Sequence, residues 1–394
     1  MKTVVFSALF AAALWCGEAP VEWAVPYPTA DQPAFGYPAL EGVTHHDIYR
    51  ATAETGWFSH HAQIVHHKGM FFASWSSHPT GEDGPGQRVL CALSEDGTVW
   101  KPPFECLPPM DAAKDPGETG RVVTAIGWVI AGGKAYVIGE VDDRLGGRHR
   151  DKISYNPAES TPERPYMGRY GLGRVARAVG CDGGLGPVFW LQAKPPNPRL
   201  GRLAEKIVLA LSEPEHRPSW DFQNKTAWTR GEDSHLLCEP TIYRRRDGVF
   251  VKISRDRERP PSFRLYAALS RNGGKNWTTA VRTSIPDSPS KSCSGSLPDG
   301  SVFLIGNYVP ESAHGRRDPL VLSLSRDGKR FDRAAAIRGG SPEIRSAGAA
   351  KSRGFQYPSA VVERDALWVI YSIGKEDVAV SRIPLTALKS MEAK

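Results

Sequence analysis

The chain has 394 residues, with 50 Lys plus Arg against 43 Asp plus Glu and a formal net charge of +7. That composition is ordinary for a folded globular protein, and no stretch beyond the N-terminus reaches the roughly 20 apolar residues of a membrane-spanning helix. The 39 glycines and 32 prolines favour many short strands over long helices, and no long 3.6-residue stripe stands out.

Residues 1–20 have the pattern of an export signal: Lys2 supplies a positive end, Val4 to Trp15 an apolar stretch too short to span a bilayer, and polar residues follow. Cys16 invites a lipoprotein reading, but Trp15 before it is not the small residue that lipid-attachment sites prefer. An exported protein, periplasmic or extracellular if bacterial, is expected, with residues 21–394 as the mature domain. Its positive charge points to anionic partners such as acidic polysaccharides. Arg244-Arg245-Arg246 lies beside a turn with no nucleic-acid motif, so a nucleic-acid partner is not expected. Nothing in the sequence asks for more than a monomer.

Along the mature chain a hairpin recurs: an apolar strand ending in Leu-Ser, a polar turn with Asp or Asn and Gly, then an aromatic. It runs from Leu93 to Trp100, from Leu269 to Trp277 and from Leu324 to Phe331, with a looser copy from Leu211-Ser212 to Trp220. The carboxylate or amide binds its own turn backbone, Gly accepts positive φ, and the aromatic covers the hairpin. The serines at 94, 212, 270 and 325 are spaced by 118, 58 and 55 residues. One missing copy near Ser154, and Ser381 one period further on, make six units.

Paired strands precede several of these hairpins, as in Thr241-Ile242-Tyr243 with Val249-Phe250-Val251, and Ala360-Val361-Val362 with Leu367 to Tyr371. Four strands per unit predict an all-β, single β-propeller of four-stranded blades, because such sheets bury both faces only when stacked radially. The segment Pro20 to Trp57 is free to complete the last blade or to form most of a seventh. Beyond Cys16 the cysteines stand at 91, 106, 181, 238 and 293. They look like single buried thiols, with Cys91 and Cys106 the one near pair and the one candidate disulfide, so packing rather than a disulfide framework must hold the fold.

The recurring hairpin resembles the Asp-box, or BNR repeat, of the sialidase-like superfamily, which marks architecture more than reaction. Within that superfamily, the first full blade, from His60-His61-Ala62-Gln63 through Gly69 to Ser76 and on to Glu82 to Val89, is similar to propeller ulvan lyases and to rhamnosidases acting beside glucuronate. That likeness implies a seven-bladed ring and histidine-centred chemistry. The sialidase likeness implies instead three arginines on a carboxylate, a Tyr nucleophile paired with Glu, and an Asp acid. Glu239, Arg255 and Tyr357 fit parts of that set, while Arg382-Ile383-Pro384 carries the family's Arg-Ile-Pro letters at the wrong end of the chain.

Candidate chemistry follows from these pieces. Elimination beside a uronic acid needs carboxylate neutralisation, a base and an acid, roles suited to His60 or His61 with His78 and Tyr170. Arg174, set among glycines, is a candidate substrate clamp, and Gln87 and Arg88 follow a Gly-Pro-Gly bend that could aim them into the site. For most of these, a plain surface or strand role is the alternative. No cofactor and no metal site is indicated: His60 and His61 are adjacent, which on a regular strand points them to opposite faces. A structural calcium held by loop oxygens stays compatible with the sequence. The expectation is a carbohydrate-active enzyme cleaving beside an acidic sugar, by elimination or hydrolysis; the alternative is a propeller that binds glycan or protein without catalysis.

Overall fold

The computed structural model describes residues 20–84, 86–109, 118–145, 169–191, 198–216 and 229–391; the expected export signal lies outside them. Five antiparallel sheets stand in a ring, each a meander running outward from an inner strand. Blade 1 comprises Phe58–His67, Met70–His78, Arg88–Ser94 and Phe104–Leu107. Blade 2 comprises Glu118–Ala131, Lys134–Leu145, Arg169–Val179 and Phe189–Trp190. Blade 3 runs through Leu236–Arg244, Phe250–Asp256, Arg264–Ser270 and Val281–Pro286, with Thr229–Arg230 added at its inner edge. Blade 4 comprises Cys293–Ser296, Val302–Gly306, Leu320–Ser325 and Arg333–Arg338. Blade 5 comprises Phe355–Glu363, Ala366–Ile373 and Asp377–Pro384.

The outer strand of blade 5 is Thr44–Tyr49, paired antiparallel with Asp377–Pro384. Of the two roles open to the N-terminal segment, completing the last blade is the one realised. This strap ties the two ends of the chain into one sheet. Apolar side chains fill the gaps between neighbouring sheets, so the core is a set of radial layers: Val251 and Tyr308 lie between blades 3 and 4, Leu322 and Val369 between 4 and 5, Trp75 and Ile370 between 5 and 1, and Leu93 and Val137 between 1 and 2.

Among the described residues five sheets form blades, rather than six or seven, and a sixth, two-stranded parallel sheet joins Glu22–Trp23 to Arg330–Phe331. The looser repeat at Leu211-Ser212 belongs to a helix, Pro198–Ser212. Its Leu200, Leu203, Ala204, Ile207 and Leu211 follow a 3.6-residue stripe, and they pack on Ile126, Tyr136 and Ile138 of blade 2. The Leu-Ser pair resembled a hairpin because the helix also ends there. Ser154 lies outside the described residues, and blade 2's third strand ends at Val179, so the even period fails across this blade.

The three clear hairpins behave as their residues dictate. In blade 1, Ser94 Oγ accepts the Gly97 amide at 2.8 Å, Asp96 Oδ1 accepts those of Thr98 and Val99 at 2.8 and 2.9 Å, and Trp100 donates to Gly97 O at 3.0 Å. Gly97 has φ of +78°, and a Cβ there would fall 2.6 Å from the Trp368 ring of the preceding blade. Gly328 likewise faces Tyr243 of blade 3. Gly274 of blade 3 faces Pro214 instead, just beyond the helix. The helix and its following turn thus fill the sector between blades 2 and 3, with Pro214 standing where another blade would place an aromatic.

Cys91 and Cys106, the one near pair, form a disulfide between the third and fourth strands of blade 1. Cys181, Cys238 and Cys293 are free.

Candidate active site

The inner strands of blades 1, 3 and 5 share one irregularity. Each slips register, between His60 and Gln63, Cys238 and Thr241, and Gln356 and Ser359. At each slip a non-glycine residue takes the left-handed conformation: His61 with φ of 58°, Glu239 with 51° and Tyr357 with 53°. Such a conformation costs about 1–3 kcal/mol in a bulky residue and is kept where surrounding structure imposes it. Its effect is to bring neighbouring side chains of one strand to the same side. The ring centroids of His60 and His61 lie 4.5 Å apart, which corrects the expectation that adjacency sends them to opposite faces.

The three bulges meet. Tyr357 Oη donates to Glu239 Oε1 at 2.6 Å, and Arg255 Nε lies 2.9 Å from Glu239 Oε2. Arg255 also donates to Tyr357 Oη at 3.4 Å and to Pro289 O at 2.7 Å. Tyr357, Glu239 and Arg255 are 3, 4 and 5% exposed. The His60 and Tyr357 rings are 4.1 Å apart. These contacts unite Glu239, Arg255 and Tyr357, which are separated by up to 118 residues in sequence.

A second set comes from the connections between second and third strands. Glu82 in blade 1 pairs with His61 Nε2 at 3.3 Å and with Lys375 Nζ of blade 5 at 2.6 Å. Arg317 in blade 4 donates to Pro289 O at 2.6 Å and to Gln356 Oε1, with its guanidinium 5.4 Å from the Tyr357 ring centroid. The corresponding connection of blade 2, residues 146–168, lies outside the described residues.

Electrostatics separate these groups. Burial raises Tyr357 well above the usual phenol value, although Arg255 pulls the other way, so the hydroxyl is held neutral. Burial also opposes the charge on Arg255, but its neighbours Cys238 and Glu239 more than offset this and hold it as a cation. Burial pushes His60 well below the usual imidazole range, reinforced by Lys375, so His60 is neutral. Desolvation works against an ionised Glu82, yet Lys375 and the His61 hydrogen bond together outweigh it and keep the carboxylate charged. Asp287, at the end of blade 3's last strand, is pushed well above the carboxylate range by burial.

Several sequence candidates lie elsewhere. Gln87 is fully buried, and its amide is saturated: Nε2 donates to Val123 O and Thr124 Oγ1 at 3.1 Å each, while Oε1 accepts the Asp83 amide. It clamps blade 1 to blade 2 and presents no free group to a ligand. Arg88 pairs with Glu105 on the outermost strand of its blade at 3.4 Å, directed outward and not into a cleft. His78 Nδ1 accepts the amides of Thr80 and Gly81, and a Cβ at Gly84 would collide with its ring. His78 therefore shapes the loop that carries Glu82. Tyr170 and Arg174 lie on blade 2's third strand, two strands out from the inner one, in register with Asp143 and Glu140. The side chain of Tyr170 is outside the described residues.

Sequence reasoning missed Glu82, Arg317, Lys375 and Asp287. The loops holding the first three differ in length and carry no repeat. The inner-strand positions did carry a signal, since His61-Ala62-Gln63-Ile64, Glu239-Pro240-Thr241-Ile242 and Tyr357-Pro358-Ser359-Ala360 align with the polar residue at the same place.

Residues 206–370 match a BNR repeat-like domain, and residues 38–198 match an N-terminal beta propeller family. No curated protein matches the chain. A structure described as a sialidase superposes with a TM-score of 0.71 at 20% identity, over 93% of this chain and 35% of that one. Trypanosoma rangeli sialidase in complex with 2,3-difluorosialic acid, a covalent intermediate, gives 0.52 at 13% identity, over 88% and 60%. A Dyadobacter fermentans protein of unknown function gives 0.52 at 15%, over 87% and 99%. The chain thus spans about a third of the first structure and three fifths of the trypanosomal enzyme. With its ring of sheets and Asp-box hairpins, the chain is similar in fold to the sialidase-like β-propellers.

Proposed function

We propose that this chain is a glycan-directed propeller enzyme, a glycosidase that hydrolyses the linkage of a carboxylated sugar through a tyrosine nucleophile. The observation that carries the proposal is the buried Tyr357–Glu239 hydrogen bond of 2.6 Å with Arg255 beside both. A neutral phenol is a weak nucleophile, and a carboxylate taking its proton activates it as the bond to carbon forms. Tyr357 Oη attacks the anomeric carbon, its proton passes to Glu239, and the glycosidic carbon–oxygen bond breaks. The departing oxygen takes a proton from the solvent side of the cleft. Water then attacks the same carbon and releases one proton to the solvent side of the cleft, Tyr357 leaves and recovers its proton from Glu239, and the sugar is released with its configuration retained.

A tyrosine suits a substrate whose own carboxylate is next to the reacting carbon, since a neutral attacking group avoids like-charge repulsion. Arg255 and Arg317, both directed to Pro289 O, are the cations that would hold that carboxylate. The net charge of +7 agrees with an acidic glycan, and the Cys91–Cys106 disulfide agrees with an exported protein.

The hydrolytic reading is preferred to elimination because it uses the three buried residues in direct contact, whereas His78 Nδ1 accepts the Thr80 and Gly81 amides of its own loop. The test is hydrolysis of fluorogenic ketosides of carboxylated sugars, followed by trapping with a 2,3-difluoro analogue and peptide mapping. Label on Tyr357 is expected. Label on another residue, or an unsaturated uronate product without label, would overturn the proposal.

A further inference from the structure

The geometry points to a binding site for a divalent transition-metal ion of the zinc class, formed by His60, His61 and Glu82 beside the tyrosine. One donor atom from each of the three lies within 4.8 Å of the others. The set joins two imidazoles and a carboxylate, the ligand types zinc prefers, and a three-residue set leaves a further coordination position open. Donors around a tetrahedral zinc stand about 3.3 Å apart, from bond lengths near 2.0–2.1 Å. His61 Nε2 and Glu82 Oε1 are already at 3.3 Å, so the remaining closure falls to side-chain rotation.

The hydrogen bonds around the three are those a ligand set needs. Ser372 Oγ donates to Gln356 O, so its bond of 2.7 Å to His60 Nδ1 is accepted from the ring. That fixes the His60 proton on Nδ1 and leaves a lone pair on Nε2. His60 is 0% exposed, and its Nε2 is buried with no hydrogen-bond partner. An orphaned buried lone pair costs free energy unless something binds it. His61 Nδ1 lies 3.1 Å from Ser76 Oγ, an oxygen able to accept the ring proton at Nδ1, and in that tautomer the Nε2 lone pair faces Glu82. Lys375 occupies Glu82 Oε2, leaving Oε1 as the ligand and orienting it from behind.

The left-handed bulge is what makes this possible. A regular strand would separate the two rings across its faces, whereas φ of 58° at His61 brings them together. The site goes beyond the glycosidase proposal, which routes no step through these residues.

The test uses the full chain, treated with chelator, dialysed and titrated with zinc alone. Calorimetry and elemental analysis are expected to give one ion per chain. Glu82→Gln and His60→Ala should weaken binding by about a hundredfold or more, with the fold checked by circular dichroism. Tyr357→Phe should keep the ion whether or not it turns over substrate, so the two proposals fail separately. Absence of stoichiometric binding, or binding unmoved in folded Glu82→Gln and His60→Ala, would overturn the site. If those variants do not fold, cobalt replaces zinc in the unaltered chain: intense visible bands of a tetrahedral centre support the site, and the weak bands of an octahedral one refute it.

Discussion

The two ends of the blades are built from the same repeat and use backbone strain in opposite ways. At the hairpin end, Gly97, Gly273 and Gly328 take positive φ, so the turns form without side-chain conflict and their Asp or Asn oxygens satisfy the amides. At the other end, His61, Glu239 and Tyr357 take nearly the same φ with full side chains. The hairpins repeat because they only hold sheets together. The bulges keep their geometry and change their residue from blade to blade, so the ring aims three different chemical groups at one place. Uniformity in a repeat marks the scaffold, and variation at a fixed register marks the site.

Four substitutions sharpen this contrast. Tyr357→Phe is expected to lower kcat/KM by about a thousandfold or more, with a stability loss of only about 1–3 kcal/mol from the buried hydrogen bond to Glu239, checked by ketoside hydrolysis and thermal melts. Glu239→Gln removes the carboxylate facing Arg255, which is 5% exposed. Leaving that cation without its partner should cost about 3–5 kcal/mol in denaturant unfolding, in addition to the loss of activity.

At the hairpin end, Gly97→Ala forces a Cβ into the left-handed region, 2.6 Å from Trp368. It should destabilise by about 1–3 kcal/mol and leave kcat of the folded enzyme intact. A fall in kcat there, or an unaltered rate in Tyr357→Phe, would break the division between the two ends.

The smallest effect concerns Asp287. Burial raises its folded pKa well above the unfolded value of 3.8, so in the interval between them the unfolded chain has released a proton that the folded chain retains. Stability from this group is fullest in acid and is lost as pH rises through that interval. Asp287→Asn should match the parent near the lower bound and exceed it in stability at neutral pH. Denaturant midpoints across pH provide the check, and parallel curves would contradict the assignment.

Much of the architecture was legible in the sequence. Leu-Ser, Asp or Asn with Gly, and a following aromatic encode a hairpin by local hydrogen bonding alone, and three such copies with paired apolar strands specify a propeller. Blade count was not legible. The stripe Leu200, Leu203, Ala204, Ile207 and Leu211 becomes a helix that covers blade 2, and this depends on an apolar sheet face being left for it to cover. The Thr44–Tyr49 strand was equally able to close blade 5 or to begin another blade until its partner was known.

For the site, sequence by itself determined the residue types that repeat inner strands present: His60 and His61, Glu239, Tyr357, with Arg255 following. Only the tertiary structure decided which of them meet. Closing the ring brings together bulges far apart along the chain, and loops of unequal length then add Glu82, Arg317 and Lys375. Local rules carry a hairpin because all its partners lie within a few residues. A site assembled across blades has no such local code, so the buried tyrosine–glutamate pair and the two facing histidines emerge only when the sheets are packed.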